Sequence, residues 1–223
     1  MLPMLLNLVN LVTPLHQQTK RDYMARLMDD KVTCMKKARE FEADYWDSSR
    51  RFGYGGYHYQ EGRWTNVARS LIERYDLKRG DSVLDIGCGK GFLLYEFQKL
   101  MPGLHLEGMD RSEYAIEHKH PDLEAQIIHG RIENTVFAGN YSLVVSLGTL
   151  HNLTLSELAI ALPVISKAAR NGYIMVESFR NEQEWFNLCA WCLTAESLMR
   201  PEDWLFLYDL YGYRGDYEFI YFE

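Results

Sequence analysis

The sequence holds no uninterrupted apolar run of the roughly 20 residues that a membrane span requires. Its most apolar stretch, residues 1–12 (MLPMLLNLVNLV), is followed at once by Pro14, His16 and Gln17, so no transmembrane segment is expected. That stretch carries neither the basic flank nor the small-residue cleavage site of a secretory leader. Leu5, Leu8, Val9 and Val12 recur at helical spacing, which predicts a short amphipathic helix docked on the domain or on a second copy of the chain. A homo-oligomer formed through this extension is therefore one expectation. A shallow membrane-surface anchor is the other reading, but the stretch contains no Lys or Arg to meet anionic headgroups.

Positive charge is scarce as well. Lys and Arg number 24 against 31 Asp and Glu, a formal net charge of -7. An acidic chain gains nothing from counterion release along a phosphate backbone, so nucleic acid is not an expected partner. Cysteine is limited to Cys34, Cys88, Cys189 and Cys192. The last two form a CxxC, yet no second CxxC or His pair at ligand spacing accompanies them, and Leu188, Trp191 and Leu193 around them are apolar. Buried free thiols are expected rather than a redox pair or a zinc site, with no metal and a cytoplasmic, reducing location. Internal repeats and low-complexity tracts are absent.

What is present is an ordinary globular composition, 47% hydrophobic and 25% charged over 223 residues, enough for one α/β domain and an extension. Residues 31–46 are rich in helix formers and read as one helix. A Gly/Tyr-rich segment follows over 51–63 (RFGYGGYHYQEGR), and helical periodicity resumes over 65–75. From Ser82 onward strands (82–86, 105–109, 125–129, 141–147, 173–176) alternate with helices (91–100, from 114, 155–169). A last helix over 201–211 and a terminal strand over 216–222 close the chain. Such alternation implies a doubly wound, Rossmann-like α/β fold with a mostly parallel sheet of about seven strands. The division expected is a helical extension and Gly/Tyr-rich lid over 1–64, then the α/β domain over 65–223.

The decisive segment is Val83-Leu84-Asp85-Ile86-Gly87-Cys88-Gly89-Lys90-Gly91. It places a glycine turn after a strand and before a helix, where a ligand can approach the backbone and the helix N-terminus offers free N–H groups. Asp85 stands two residues before the first glycine, and the spacing differs from the G-x-G-x-x-G that cradles a pyrophosphate. Asp110 ends the second strand, where an acid can hold both ribose hydroxyls.

On these residues the chain resembles the class I S-adenosylmethionine methyltransferases, small-molecule type, over about residues 71–172. The resemblance implies S-adenosyl-L-methionine as cofactor. Gly87 and Gly89 would wrap its methionine part, with Cys88 between them. Asp85 would orient the turn or meet the amino group through water, and Asp110, followed by Arg111, would bind the ribose. The third family motif departs from the pattern. Arg131 stands where an Asp is usual, which leaves the adenine amine to Glu133, Asn134 or a backbone carbonyl, with Ile132 over one ring face and Leu147 at the end of the fourth strand. Ser142 likewise replaces a usual Asp. The family's terminal hairpin implies that the last strand is antiparallel near an edge and that residues 191–196 (WCLTAE) supply its partner.

The methyl acceptor belongs beyond the carboxyl ends of the fourth and fifth strands. His151 is the preferred base or acceptor-orienting group, since its pKa lies near neutrality; packing on the adenosyl group is the equal alternative. Glu177 reads as a contact to a cationic or polyhydroxyl acceptor, or as a buried structural acid. Tyr54, Tyr57 and Tyr59 alternate with Gly and His in a candidate aromatic lid over the sulfonium, with Tyr57 the favoured member; a packed anchoring loop is the bland reading. The YGGY segment followed by Gly62-Arg63-Trp64 is similar to one in a group of bacterial methyltransferases linked with surface polysaccharide genes, which implies a sugar or sugar-derived acceptor. A catalytically silent cofactor-binding partner subunit is the alternative from another class. A nicotinamide oxidoreductase lacks its glycine motif here, and a nucleic-acid methyltransferase lacks the N/D-P-P-Y acceptor signature.

Overall fold

Leu143–Leu147 (LVVSL), apolar at every position but Ser146, sits at the middle of a sheet covered on both faces, which explains why its apolar residues run on rather than alternate. The computed structural model describes residues 6–137 and 139–223. Four short helices come first: α1 (Thr13–Gln17), α2 (Tyr23–Met28), α3 (Lys31–Ala38) and α4 (Ala43–Trp46). Helix α5 (Thr65–Arg74) leads into β1 (Ser82–Ile86), α6 (Phe92–Leu100), β2 (His105–Asp110), α7 (Glu113–Glu117) and β3 (Gln126–His129). Then come β4 (Leu143–Leu147), α8 (Leu155–Ala168), β5 (Gly172–Glu177), α9 (Glu182–Trp191), α10 (Pro201–Leu210) and β6 (Asp216–Ile220). One-turn 3-10 helices, Ile132–Asn134 and Leu150–Asn152, follow β3 and β4.

The strand order is β3-β2-β1-β4-β5-β6, with every pair parallel. The winding reverses between β1 and β4, so their carboxyl ends open a crevice where ligands bind in this class of fold. One face of the sheet buries Leu84, Ile86, Val144 and Ile174 against α8 and α10, including Trp204 and Tyr208. The other buries Val83, Val145 and Tyr173 against Leu71 of α5, Phe97 of α6 and Leu188 of α9.

The structure corrects several expectations. Among the described residues the sheet has six strands, not seven, and β6 runs parallel to β5, pairing from Tyr173↔Asp216 to Glu177↔Ile220. Residues 191–196 end α9 and continue as loop, so no hairpin forms. The cause is the long crossover through α9 and α10, which returns the chain to the same end of the sheet and enforces parallel pairing. Residues 6–12 are also not helical. Leu8 bridges Tyr217 in parallel, with Val9 N–H donating to Tyr217 O at 2.9 Å and Tyr217 N–H to Asn7 O at 3.0 Å. The open edge of β6 offers a ladder of unpaired groups, and pairing with it outweighs an isolated short helix. Leu5, the first residue of the expected apolar stripe, lies outside the described residues. The helix expected over 31–46 is broken as well, since Phe41 adopts φ 56° between α3 and α4.

The extension is fastened by Glu218 of β6, which is fully buried. Its carboxylate accepts the N–H groups of Leu11 (2.7 Å), Val12 (3.0 Å) and Thr13 (2.5 Å), the Thr13 hydroxyl (2.6 Å) and the Tyr173 hydroxyl. Glu218→Gln removes the charge that these donors share and should cost about 1–3 kcal/mol. Hydrogen exchange at the amides of residues 11–13 should quicken in that variant while β1 stays protected. Unchanged protection at 11–13 would mean that Glu218 does not hold the extension.

Candidate active site

The β1–α6 turn is built by glycines that no other residue could replace. Gly87 and Gly89 have φ of 80° and 54°, and a Cβ would run into the Thr149 side chain at the first and into the Trp46 ring at the second. Gly87 and Cys88 N–H donate to Met109 O at 2.7 and 3.1 Å, which ties the turn to β2. Asp110 closes it: its carboxylate accepts Gly89 N–H at 2.7 Å and Ser112 N–H at 2.9 Å. Burial raises the pKa of Asp110, and the backbone N–H donors oppose that rise. Asp85, beside it and only 4% exposed, is pushed up to about 8 by burial and then by the charge of Asp110.

Two adjoining cavities flank this turn and share Trp46, Tyr54, Gly87, Leu147, Gly148 and Asn152 in their walls. The smaller, about 100 Å³, is bounded by Asp110, Arg111, Ile132 and Glu133. Arg131 pairs with both Glu133 and Glu157, so the residue that departs from the family pattern positions Glu133. Through this pair one carboxylate oxygen of Glu133 is engaged, while Oε2 is buried with no hydrogen-bond partner; Asn152 Oδ1 is in the same state. Arg111 lies over the Phe41 ring at 4.7 Å. Ser142, the other departure, donates to Asp81 at 2.6 Å and lines neither cavity.

The larger cavity, about 460 Å³, holds His151, Glu177, Cys88, Tyr54 and Tyr57 in its wall. The backbone N–H of Glu177 donates to His151 Nδ1 at 3.2 Å, so the ring proton sits on Nε2, which faces Glu177 Oε2 at 3.5 Å. Burial lowers the pKa of His151 and keeps it neutral, although the Glu177 charge opposes this. With its lone pair spent on a backbone donor, His151 cannot accept a proton in this arrangement; it orients Glu177 instead. The Cys192 thiol also donates to Glu177 Oε2, and among the described residues no hydrogen bond engages Oε1 of this cavity-lining residue.

Tyr54 stacks on Trp46 at 5.5 Å and Tyr57 on Phe92 at 5.0 Å, and both reach the larger cavity. Tyr59 does not: its hydroxyl donates to buried Glu96 at 2.5 Å. Tyr54 N–H donates to Tyr45 O, and Gly56 and Tyr57 N–H to Trp46 O, which pins the aromatic segment to α4.

Among the described residues no group of three or more His, Cys, Asp or Glu side chains is placed to hold a metal ion, and no helix is long and apolar enough to cross a membrane. Residues 77–206 match the model of a family described as a methyltransferase domain. The chain belongs to this methyltransferase family. No curated protein matches it in sequence. In structure the methyltransferase domain is similar to the YcgJ protein of Bacillus subtilis, at 14% identity and a TM-score of 0.53, covering 65% of this chain and 66% of that one. It is similar also to a chain in the complex of the Haloferax volcanii Trm112 methyltransferase activator with a methyltransferase, at 14% identity and a TM-score of 0.51, covering 67% and 72%. CalS10, an amino pentose methyltransferase of Micromonospora echinaspora solved with S-adenosylmethionine, aligns at 23% identity and a TM-score of 0.42 over 48% of this chain and 47% of its own. The chain spans about half the length of CalS10 and of the other solved structures that align in this way.

S-adenosylmethionine is the cofactor of the methyltransferase domain, and the smaller cavity suits it. Two buried acceptors without donors, Glu133 Oε2 and Asn152 Oδ1, fit an exocyclic amine, and Asp110 retains lone pairs for hydroxyls. Phe41, Tyr45 and Trp46 were not singled out from the sequence, yet all three line that cavity. Phe41 and Trp46 sit within what reads as one unbroken helix, and nothing local marks the turn between α3 and α4.

Asp85 gives the methyltransferase domain a pH signature. Its folded pKa of about 8 lies above its unfolded value, so its contribution to stability is complete at acid pH and is lost as pH rises toward 8. Asp85→Asn should therefore be more stable than the parent at pH 8, by upwards of about 1.4 kcal/mol, the worth of one pH unit, with the gap closing toward pH 4. Denaturant melts across that range measure it. A gap that widens toward acid would contradict the assignment.

Proposed function

We propose that this chain transfers the methyl group of S-adenosylmethionine to a small-molecule acceptor, a sugar or sugar derivative, bound in the larger cavity. The observation that carries this is the junction of the two cavities at Gly87 and Leu147, with acceptors for an adenosyl group on one side and an open carboxylate on the other. The cofactor supplies an electrophilic methyl on a sulfonium. Asp110 holds the ribose and Glu133 the adenine amine, with Arg131 aligning it. The Gly87–Gly89 backbone and Asp85 meet the methionine end.

Glu177 is the group that binds and deprotonates the acceptor, through Oε1, while neutral His151 and Cys192 fix the carboxylate from the other side. This reverses the preference for His151 as base, because its only lone pair is occupied. Tyr54 and Tyr57 supply aromatic faces for the acceptor and the sulfonium, and their packing excludes water. The extension thus acts as one wall of the site. A cytoplasmic setting belongs to this reading, since all four cysteines are free thiols. Arg131 and Ser142, the departures that favour a silent partner subunit, have structural partners of their own.

The test measures S-adenosylhomocysteine formation over a panel of sugars, together with cofactor binding. Glu177→Gln should lower turnover by about 10²–10⁴-fold with cofactor affinity unchanged. Undiminished turnover in Glu177→Gln would remove Glu177 from the reaction, and absence of cofactor binding would remove the reaction itself.

A further inference from the structure

Three arginines of the extension converge on one ring. The guanidinium carbons of Arg21, Arg26 and Arg50 lie 5.5, 5.1 and 5.1 Å from the Trp191 centroid, and all three side chains line the larger cavity. No acidic side chain among the described residues pairs with any of them. Backbone carbonyls hold them instead. Arg21 Nη1 donates to His16 O and Thr19 O at 3.1 and 2.9 Å, Arg26 Nη1 to Arg50 O and Arg51 O at 2.6 and 2.8 Å, and Arg50 Nη1 to Gly53 O. The Nε–H groups of Arg21 and Arg26 are buried without any acceptor. Burial lowers the pKa of both arginines, and the nearby charge of Arg50 adds to the effect. His16, beside Arg21 at 3.0 Å, is brought down to about 4 by burial and by that guanidinium, so it adds no charge and offers no anion.

Packing alone does not account for this. One arginine on Trp191 would anchor the extension to α9, whereas three like charges gathered on one ring repel one another, and the half-buried Arg21 and Arg26 also lose hydration. What offsets that cost is a compact anion, since planar guanidinium forks match phosphate and carboxylate oxygens in pairs. Among the described residues, Glu177 is the only one in the cavity wall that carries a carboxylate. An anionic group is therefore drawn to the arginines and repelled from Glu177, which presents a neutral hydroxyl or amine of the same molecule to the carboxylate.

We propose that the methyl acceptor carries an oxyanion, a phosphate or a carboxylate, that binds between Arg21, Arg26 and Arg50. This rests on the reading of the larger cavity as the acceptor site. The carboxylate of the cofactor is the competing occupant, and the experiment separates the two. Calorimetry first measures S-adenosylhomocysteine on the parent protein and on Arg26→Gln and Arg50→Gln. The protein saturated with S-adenosylhomocysteine is then titrated with inorganic phosphate, glucose 1-phosphate, glucuronate and glucose. The expected result is binding of the anionic probes and none of glucose, with each variant weakening the anions at least tenfold and S-adenosylhomocysteine less than twofold. That unchanged affinity also shows the variants to be folded. Binding of the phosphate probes alone identifies a phosphorylated acceptor, and binding of glucuronate alone a carboxylated one; either supports the site. Binding of no anion, anion affinity unchanged in both variants, or a loss confined to S-adenosylhomocysteine would overturn it. Failure of the parent to bind S-adenosylhomocysteine at all would instead overturn the proposed function, and this inference with it.

Discussion

An ion pair between buried Lys90 and half-buried Asp47 joins the two halves of the site. Lys90, between Gly89 and Gly91 of the glycine turn, is buried and donates to both oxygens of Asp47 at 2.7 and 2.6 Å. Asp47 follows α4 and also accepts Tyr57 N–H at 3.1 Å and the Tyr114 hydroxyl at 3.0 Å. Burial alone would raise its pKa, but these donors together hold it below the usual carboxylate value. Trp46 and Tyr57, on either side of this anchor, are thereby set against Gly89 and Phe92. A buried pair of this kind adds little net stability, yet breaking one side of it strands a charge at a cost of about 3–5 kcal/mol. Its effect is to specify where the extension sits.

The same economy of charge runs through the rest of the cleft. Asp85 and Asp110 stand side by side at the strand ends and raise the energy of a second negative charge there, which favours a ligand that brings a cationic group. His151 is kept neutral by burial, so Glu177 holds the negative charge facing the larger cavity. The arginines on Trp191 balance it from the extension. Asp110 is fixed by backbone N–H groups, Glu133 by Arg131 and Glu177 by Cys192, which is a preorganised arrangement of charge.

Much of the domain was legible because its signals are local. The strand over 82–86, the helix beginning at Leu155 and the glycine turn are written within windows of a dozen residues, and the structure places them there. The cluster of Asp110, Ile132 and Glu133 followed from spacing and resemblance, and these side chains do meet in one cavity. What was not legible depends on partners far away in sequence. The direction of β6 is set by the crossover through α9 and α10, and residues 7–9 are extended because the edge of β6 is open to them. The Lys90–Asp47 pair and the arginines on Trp191 have no local pattern either, since neither partner departs from what an exposed polar residue looks like. Which ring nitrogen of His151 meets a backbone donor is likewise not written in the sequence.

The extension forms one wall of the smaller cavity and is held there through Lys90 and Asp47. Hydrogen exchange on the whole chain, with and without S-adenosylhomocysteine, tests this most directly. The amides of residues 45–57 should slow together with those of 87–91 when the ligand binds, and Asp47→Asn should abolish the slowing at 45–57. Protection confined to 87–91 and 110–112, with 45–57 exchanging alike in both states, would contradict it.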